Sequence, residues 1–85
     1  FRSNKTVPLN ILEILARDEN ESVRAAVAMK RKLSPELFDL LSRDSSEEVR
    51  HRIACNKKSP IYILKTLTND PIMFIREAAL KHVEN

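Results

Sequence analysis

Apolar residues recur along this chain at the three- and four-residue spacing that is typical of amphipathic helices. One kind of stretch opens at a proline and keeps its apolar side chains on one face, as in "PLNILEILARD", "PELFDLLSRD" and "PIYILKTLTND". A second kind follows each of these and places a β-branched residue and an arginine before a largely small and apolar run. The alternation predicts three pairs of short helices, each helix of about ten residues.

An internal repeat underlies this alternation. Three aspartates lie 26 residues apart, and an arginine follows each of them after six residues: Asp18 and Arg24, Asp44 and Arg50, Asp70 and Arg76. The sequence therefore divides into similar segments at approximately residues 7–33, 34–58 and 59–85, which we call segments 1, 2 and 3. One helix pair of this size cannot cover its own apolar stripe, so we expect the segments to stack as a single domain over residues 1–85.

The polar residues between the apolar stretches predict where the helices begin. A proline at the first helical position is expected to open the first helix of each segment. Each of the three aspartates is expected to cap the second helix, because a side-chain oxygen there accepts a free backbone N–H. In segments 1 and 2 a glutamate follows the aspartate after three residues, as in a capping box, and in segment 3 Pro71 follows it directly.

Composition excludes several kinds of protein. The chain of 85 residues contains no glycine, which argues against phosphate-binding loops and strained nucleophile turns. Its single cysteine, Cys55, cannot form an internal disulfide and predicts a reducing, cytoplasmic location. No apolar run approaches the roughly 20 residues of a membrane span, so no membrane partner is expected. Because the chain begins at Phe1, with "FRSNKTV" as a thin N-terminal cover, we expect it to be part of a longer chain.

Charge is distributed unevenly within each segment, although the net charge is only +3. Acidic residues gather where the second helices begin, and basic residues gather where they end, as at Lys30–Lys32, Lys57–Lys58 and Lys81–His82. The helix macrodipole favours this arrangement. It is typical of helices whose charged side chains offset the partial charges at their own two ends. Stacking would also align the basic ends along one edge, and that edge would suit an anionic polymer such as nucleic acid.

Residues that carry chemistry are few and poorly placed for catalysis. His51 and Cys55 share a helix face, but no further ligand in that stretch completes a tetrahedral metal site. No nucleophile has both a base and a group that orients the base, so neither an enzyme nor a cofactor or metal site is expected. Cys55 is interpreted as a buried or half-buried packing residue.

The stretch "SPELFDLLSRDSSEEVRHRIACNKKSP" resembles the leucine-rich variant repeat and, more broadly, short HEAT-like helical repeats. The resemblance covers residues 7 to about 83 and implies an all-α fold, a right-handed α-solenoid of about three stacked helical hairpins. In HEAT-like repeats the aspartate and the arginine form a ladder between neighbouring repeats, which implies a structural role for Asp18, Arg24, Asp44, Arg50, Asp70 and Arg76. The alternative is that the three arginines line a groove for phosphate.

The function that we expect is non-enzymatic binding of another protein. The candidate partner-binding residues lie at the basic helix ends, on the second helix of segment 2 and at the start of segment 3: Lys30, Arg31, Lys32, Arg52, Lys57, Lys58 and Tyr62. Nucleic-acid binding through the basic edge and a role as an accessory domain of an enzyme complex remain as alternatives. The end repeats of a solenoid need a polar outer face, and these ends lack one, so we expect either flanking repeats in a longer parent chain or self-association through an exposed end.

Overall fold

The computed structural model of this protein describes residues 8–84, which form six α-helices and no strand. The helices are α1 (Leu9–Leu15), α2 (Glu21–Ala28), α3 (Pro35–Ser42), α4 (Glu47–Cys55), α5 (Ile61–Leu67) and α6 (Met73–Glu84). The prediction of an all-α chain with two helices in each segment is therefore confirmed for the described residues. The predicted N-terminal cover, residues 1–7, lies outside them.

The prolines that precede the first helices occupy two different positions. Only Pro35 is the first residue of its helix, and the Ser34 hydroxyl caps that helix by accepting the N–H of Leu37. Pro8 and Pro60 are instead the N-cap residues of α1 and α5, where no side chain closes the helix. The prediction of proline at the first helical position was therefore wrong for these two helices.

The caps of the second helices also differ from the prediction. Asn20 caps α2 by accepting the N–H of Ser22, and Ser46 caps α4 by accepting the N–H of Val49. The aspartates lie two residues earlier than these caps. There each aspartate accepts the backbone N–H of the residue two positions on, with distances of 2.8–2.9 Å at Asp18, Asp44 and Asp70. The aspartates thus form Asx turns that lead into the helices.

The core extends through all three segments. Helix α4 packs against α2 on one side and against α6 on the other, and the first helices α3 and α5 also contact each other. Val49, Ile53 and Ala54 of α4 have no exposed surface. They belong to one cluster that runs from Leu12 in α1 to Ala79 in α6. Each segment therefore completes part of the core of its neighbour.

The polar groups inside this core all have partners. No buried side-chain nitrogen or oxygen of the described residues lacks a hydrogen bond. The helices of residues 8–84 are also too short or too polar for any of them to cross a membrane.

Candidate interaction surfaces

The arginine of segment 1 joins two segments through one guanidinium group. Arg24 donates from Nε to Asp44 Oδ2 at 2.8 Å and from Nη2 to Asp44 Oδ1 at 3.0 Å. Its Nη1 donates to the backbone carbonyl of Asp18 at 2.6 Å, within its own segment. The hydrogen bond with Asp44 raises the pKa of the Arg24 guanidinium. Both side chains are largely buried, so this pair lies between the segments rather than on the surface.

The arginine of segment 2 repeats this geometry with segment 3. Arg50 donates from Nε to Asp70 Oδ2 at 2.8 Å and from Nη2 to Asp70 Oδ1 at 3.4 Å, while Nη1 donates to the carbonyl of Asp44 at 2.7 Å. The side chains of Arg50 and Asp70 are 13% and 5% exposed. Since Arg24 and Arg50 both hold carboxylates, they are not available to line a phosphate groove.

The first aspartate and the last arginine of this series differ from the others. The Asp18 carboxylate accepts the N–H of Asn20, and no arginine of residues 8–84 pairs with it. Arg76 donates from Nη1 to the carbonyls of Asp70 and Pro71, at 2.9 and 3.1 Å, and within the described part of the chain it reaches no carboxylate. The two ends of the series therefore carry opposite charges.

A second set of contacts between segments lies where the second helices end. Asn56 Nδ2 donates at 2.8 Å to the carbonyls of both Ala28 and Lys30, and the Asn56 side chain is buried. His82 Nδ1 lies 3.2 Å from the carbonyl of Ala54. Sequence reasoning missed both contacts. The available signal was a polar residue twelve positions after the aspartate in every segment, at Lys30, Asn56 and His82.

The predicted basic residues border two grooves at this edge. A groove of about 220 Å³ is lined by Arg31 of segment 1 together with Arg52 and Lys57 of segment 2. A neighbouring groove of about 280 Å³ is lined by Lys57, Lys81 and His82. No carboxylate lines either groove. The other predicted basic residues are exposed but line neither groove: Lys30, Lys32 and Lys58.

Arg52, which lines the first groove, has its charge partly paired. Its guanidinium forms an ion pair with Glu48, one helical turn earlier, at 2.7 Å. Its Nη1 also lies 3.4 Å from the sulfur of Met29 in α2. Part of the positive charge of this groove is therefore already neutralised.

Comparison with known proteins identifies no family for this chain. No protein-family model matches the chain, and neither a curated protein nor a solved structure matches it. The resemblance to leucine-rich variant repeats therefore stays a prediction, and function has to be argued from the surfaces themselves.

Cys55 lies where the two basic grooves meet, and it is exposed rather than buried or half-buried as expected. Its sulfur lies 3.5 Å from His51 Nε2. Partial burial of the thiol nevertheless raises the pKa of Cys55, which keeps the sulfur protonated and weakly nucleophilic at neutral pH. The described residues contain no group of three or more potential metal ligands around it.

Tyr62 belongs to an exposed apolar surface on the first turn of α5. Tyr62 and Ile61 are 56% and 54% exposed, and Lys65 is exposed one turn further along the helix. The residues that match Ile61 in the other segments, Leu9 and Pro35, are exposed as well. This position is therefore exposed in every segment. In segment 3, two large apolar side chains lie at the start of the helix. We call Ile61, Tyr62 and Lys65 the α5 patch.

Proposed function

We propose that this chain is a non-enzymatic helical-repeat module that binds another protein. In this proposal the three helix pairs stack as a short right-handed solenoid, HEAT-like in arrangement. The position of α4 between α2 and α6 supports stacking, as do the matching bonds from Arg24 to Asp44 and from Arg50 to Asp70. An exposed, unpaired Cys55 suits the reducing cytoplasm.

The observation that carries this proposal is the exposure of the α5 patch. Water is a poor environment for two adjacent large apolar side chains, and tyrosine is one of the residues that dominate binding energy at protein interfaces. The exposed Lys58 and Lys65 lie on either side of Ile61 and Tyr62 in the sequence. We therefore propose a partner that offers an apolar anchor beside acidic side chains.

Site-specific photo-crosslinking tests this proposal. A photoreactive benzoyl-phenylalanine at position 62 should give a discrete crosslinked product with one partner protein in extracts. Unlabelled wild-type chain should compete for that product, whereas Ile61→Glu chain should not. The matched control places the same probe at the exposed Glu13 of α1, outside the α5 patch. Equal products from both positions, or competition by Ile61→Glu, would contradict binding through the α5 patch.

The two basic grooves favour a second candidate function, the binding of nucleic acid. Arg31, Lys57 and Lys81 come from three different segments and border grooves without carboxylates. Phosphate contacts release counterions, so such binding weakens steeply as salt rises. Anisotropy of a labelled duplex distinguishes the candidates. Binding that persists at physiological salt and is lost in Lys57→Glu and Arg31→Glu would support nucleic acid, while binding seen only at low salt would contradict it.

A further inference from the structure

Helix α6 exposes an apolar residue at a position that is buried in the other second helices. Leu80 is 45% exposed, whereas the residues that match it in α2 and α4, Ala28 and Ala54, have no exposed surface. Ala28 and Ala54 lie where the following segment covers them, since α2 packs on α4 and α4 packs on α6. At Leu80 the described chain supplies no following segment. The end of the stack at α6 therefore leaves open a face that the two inner segments cover.

The opposite end of the stack leaves open the complementary face. Ile11 in α1 is 40% exposed, whereas its counterparts Leu37 and Ile63 are each 2% exposed. Val23 in α2 is only half-buried, although the β-branched residues at the same position in α4 and α6 are fully buried. These are positions that a preceding segment covers. Each end thus exposes positions whose counterparts inside the stack are buried.

The charges at the two ends match in the same way. Between adjacent segments, arginine Nε and Nη2 hold the next aspartate, and the pairs Arg24–Asp44 and Arg50–Asp70 use both of these nitrogens. At the open ends, Arg76 has its Nη1 bonded within its own segment, and Asp18 offers its carboxylate. An Arg76–Asp18 bond between two chains would continue the series with the same chemistry.

The helix ends supply a further match. Asn56 and His82 each bond to a carbonyl at the end of the second helix of the preceding segment. The residue at this position in segment 1 is Lys30, which is exposed and carries an ammonium group. The end of α6 would offer it the carbonyl of Leu80. A cation at the negative end of a helix is a favourable arrangement.

We propose that this chain binds a second copy of itself head to tail, with the Arg76–Leu80 face of α6 on the Asp18–Val23 end of the next chain. The proposal rests on the stacked arrangement described under the proposed function, but it uses a different surface from the α5 patch. Because the two faces of this contact are different, it is a heterologous contact that adds chains in a row rather than closing as a two-fold dimer.

Sedimentation or light scattering over a dilution series tests the proposal. The wild-type chain should pass from monomer to dimer and then to longer species as its concentration rises from micromolar to millimolar. A strict monomer over that range would overturn the proposal. A dimer that never grows would also overturn it, because a two-fold contact stops at two chains.

Charge variants at the two ends identify the contact. Asp18→Asn keeps the oxygen that accepts the Asn20 N–H but removes the charge, and it should weaken association about tenfold. Arg76→Gln should do the same. The matched controls are the neighbouring exposed charges, Glu19→Gln and Arg17→Gln, which should stay within about twofold of wild type. Equal effects in the variants and the controls would contradict an Arg76–Asp18 bond.

Mixing the two variants tests the direction of assembly. Asp18→Asn chains retain Arg76, and Arg76→Gln chains retain Asp18, so an equimolar mixture can form one native contact per pair. The mixture should give one-to-one complexes with wild-type affinity and few longer species, and circular dichroism should show wild-type helicity in both variants. Failure of the mixture to associate better than either variant alone would overturn the proposal. Tyr62→Ala should leave self-association unchanged. The test of self-association is therefore independent of the proposal that the α5 patch binds another protein.

Discussion

At the residue scale, each bridging arginine bonds in two directions with one planar group. Arg50 Nη1 reaches the carbonyl of Asp44 in its own segment, while Nε and Nη2 reach the Asp70 carboxylate in the next. A guanidinium group holds five N–H donors in a fixed plane, so it can serve both acceptors without changing its conformation. A lysine would offer a single point charge. This requirement explains why arginine occupies the position in segments 1 and 2, where both bonds form.

Removal of Arg50 should therefore cost more stability than removal of an exposed arginine. Arg50→Ala leaves the buried Asp70 carboxylate without its cation, and we expect a loss of about 3 kcal/mol in the free energy of unfolding, measured by urea denaturation. Arg43→Ala is the control, because the Arg43–Asp39 pair is exposed on α3, and it should cost less than about 0.5 kcal/mol. Similar losses in the two variants would mean that the bond between segments contributes no more than a surface pair.

Cys55 yields a prediction for pH dependence. Burial raises the pKa of this thiol above its ordinary value of 9.0, while Arg52 lowers it to a smaller extent. The folded state thus favours the protonated thiol, a contribution to stability that is present below the ordinary pKa and lost as pH rises through the folded pKa. The rate of alkylation by iodoacetamide should rise with a midpoint above 9.0 in the folded protein. Arg52→Gln should move that midpoint further up, and urea-unfolded protein should titrate at the ordinary value.

At the element scale, the helices could be predicted from the sequence but their caps could not. Apolar spacing determines that a stretch such as residues 47–55 is a helix with one buried face, whatever lies before it. The residue at which the helix starts depends on which of several nearby polar side chains accepts an unpaired backbone N–H of its first turn. After Asp44 the hydroxyl of Ser46 does so, and the aspartate forms the preceding turn instead. Aspartate, serine and asparagine all suit the cap, so spacing alone cannot choose among them.

The turn after α4 shows a second limit of prediction from the sequence. Asn56 belongs to a short polar stretch, "NKKS", that is typical of an exposed loop. In the fold its amide reaches two carbonyls at the end of α2, and its oxygen accepts the N–H of Lys58 at 2.9 Å. The partners are 26 and 28 residues away, so only the packing of α4 on α2 reveals them.

Asn56 should therefore stabilise the contact between the second helices. Asn56→Ala leaves the carbonyls of Ala28 and Lys30 without this donor, and we expect a loss of about 1–3 kcal/mol in thermal or urea unfolding. Asn56→Asp should cost more, because it also places a negative charge at the negative end of α2. The exposed Asn69 offers the matched control, and Asn69→Ala should change stability by less than about 0.5 kcal/mol. Asn56→Asp as stable as wild type would contradict this role.

At the scale of the whole molecule, the candidate surfaces depend on how segments meet. The sequence marks Arg31, Arg52 and Lys57 as basic residues near helix ends. That they border one groove follows only from the packing of α2 against α4. Tyr62 was predicted only as a candidate partner-binding residue, and its exposure follows from the packing of α5. Within residues 8–84 the charges of Asp18 and Arg76 have no partner of opposite sign. Only the contacts between the segments reveal this, because both residues lie in a sequence context similar to that of their paired counterparts.

The position of α4 between α2 and α6 predicts how the whole molecule unfolds. In a stack each segment is stabilised by its neighbours, so a cavity in the middle should weaken both sides. Ile53→Ala removes a side chain without exposed surface, and we expect a loss of about 2–5 kcal/mol. Amide hydrogen exchange should then quicken in α2 and α6 as well as in α4. The control Ile14→Ala removes an exposed isoleucine of α1 and should leave all three helices protected. If α6 kept its protection in Ile53→Ala while α4 lost it, the segments would unfold independently, and the shared core would not couple them.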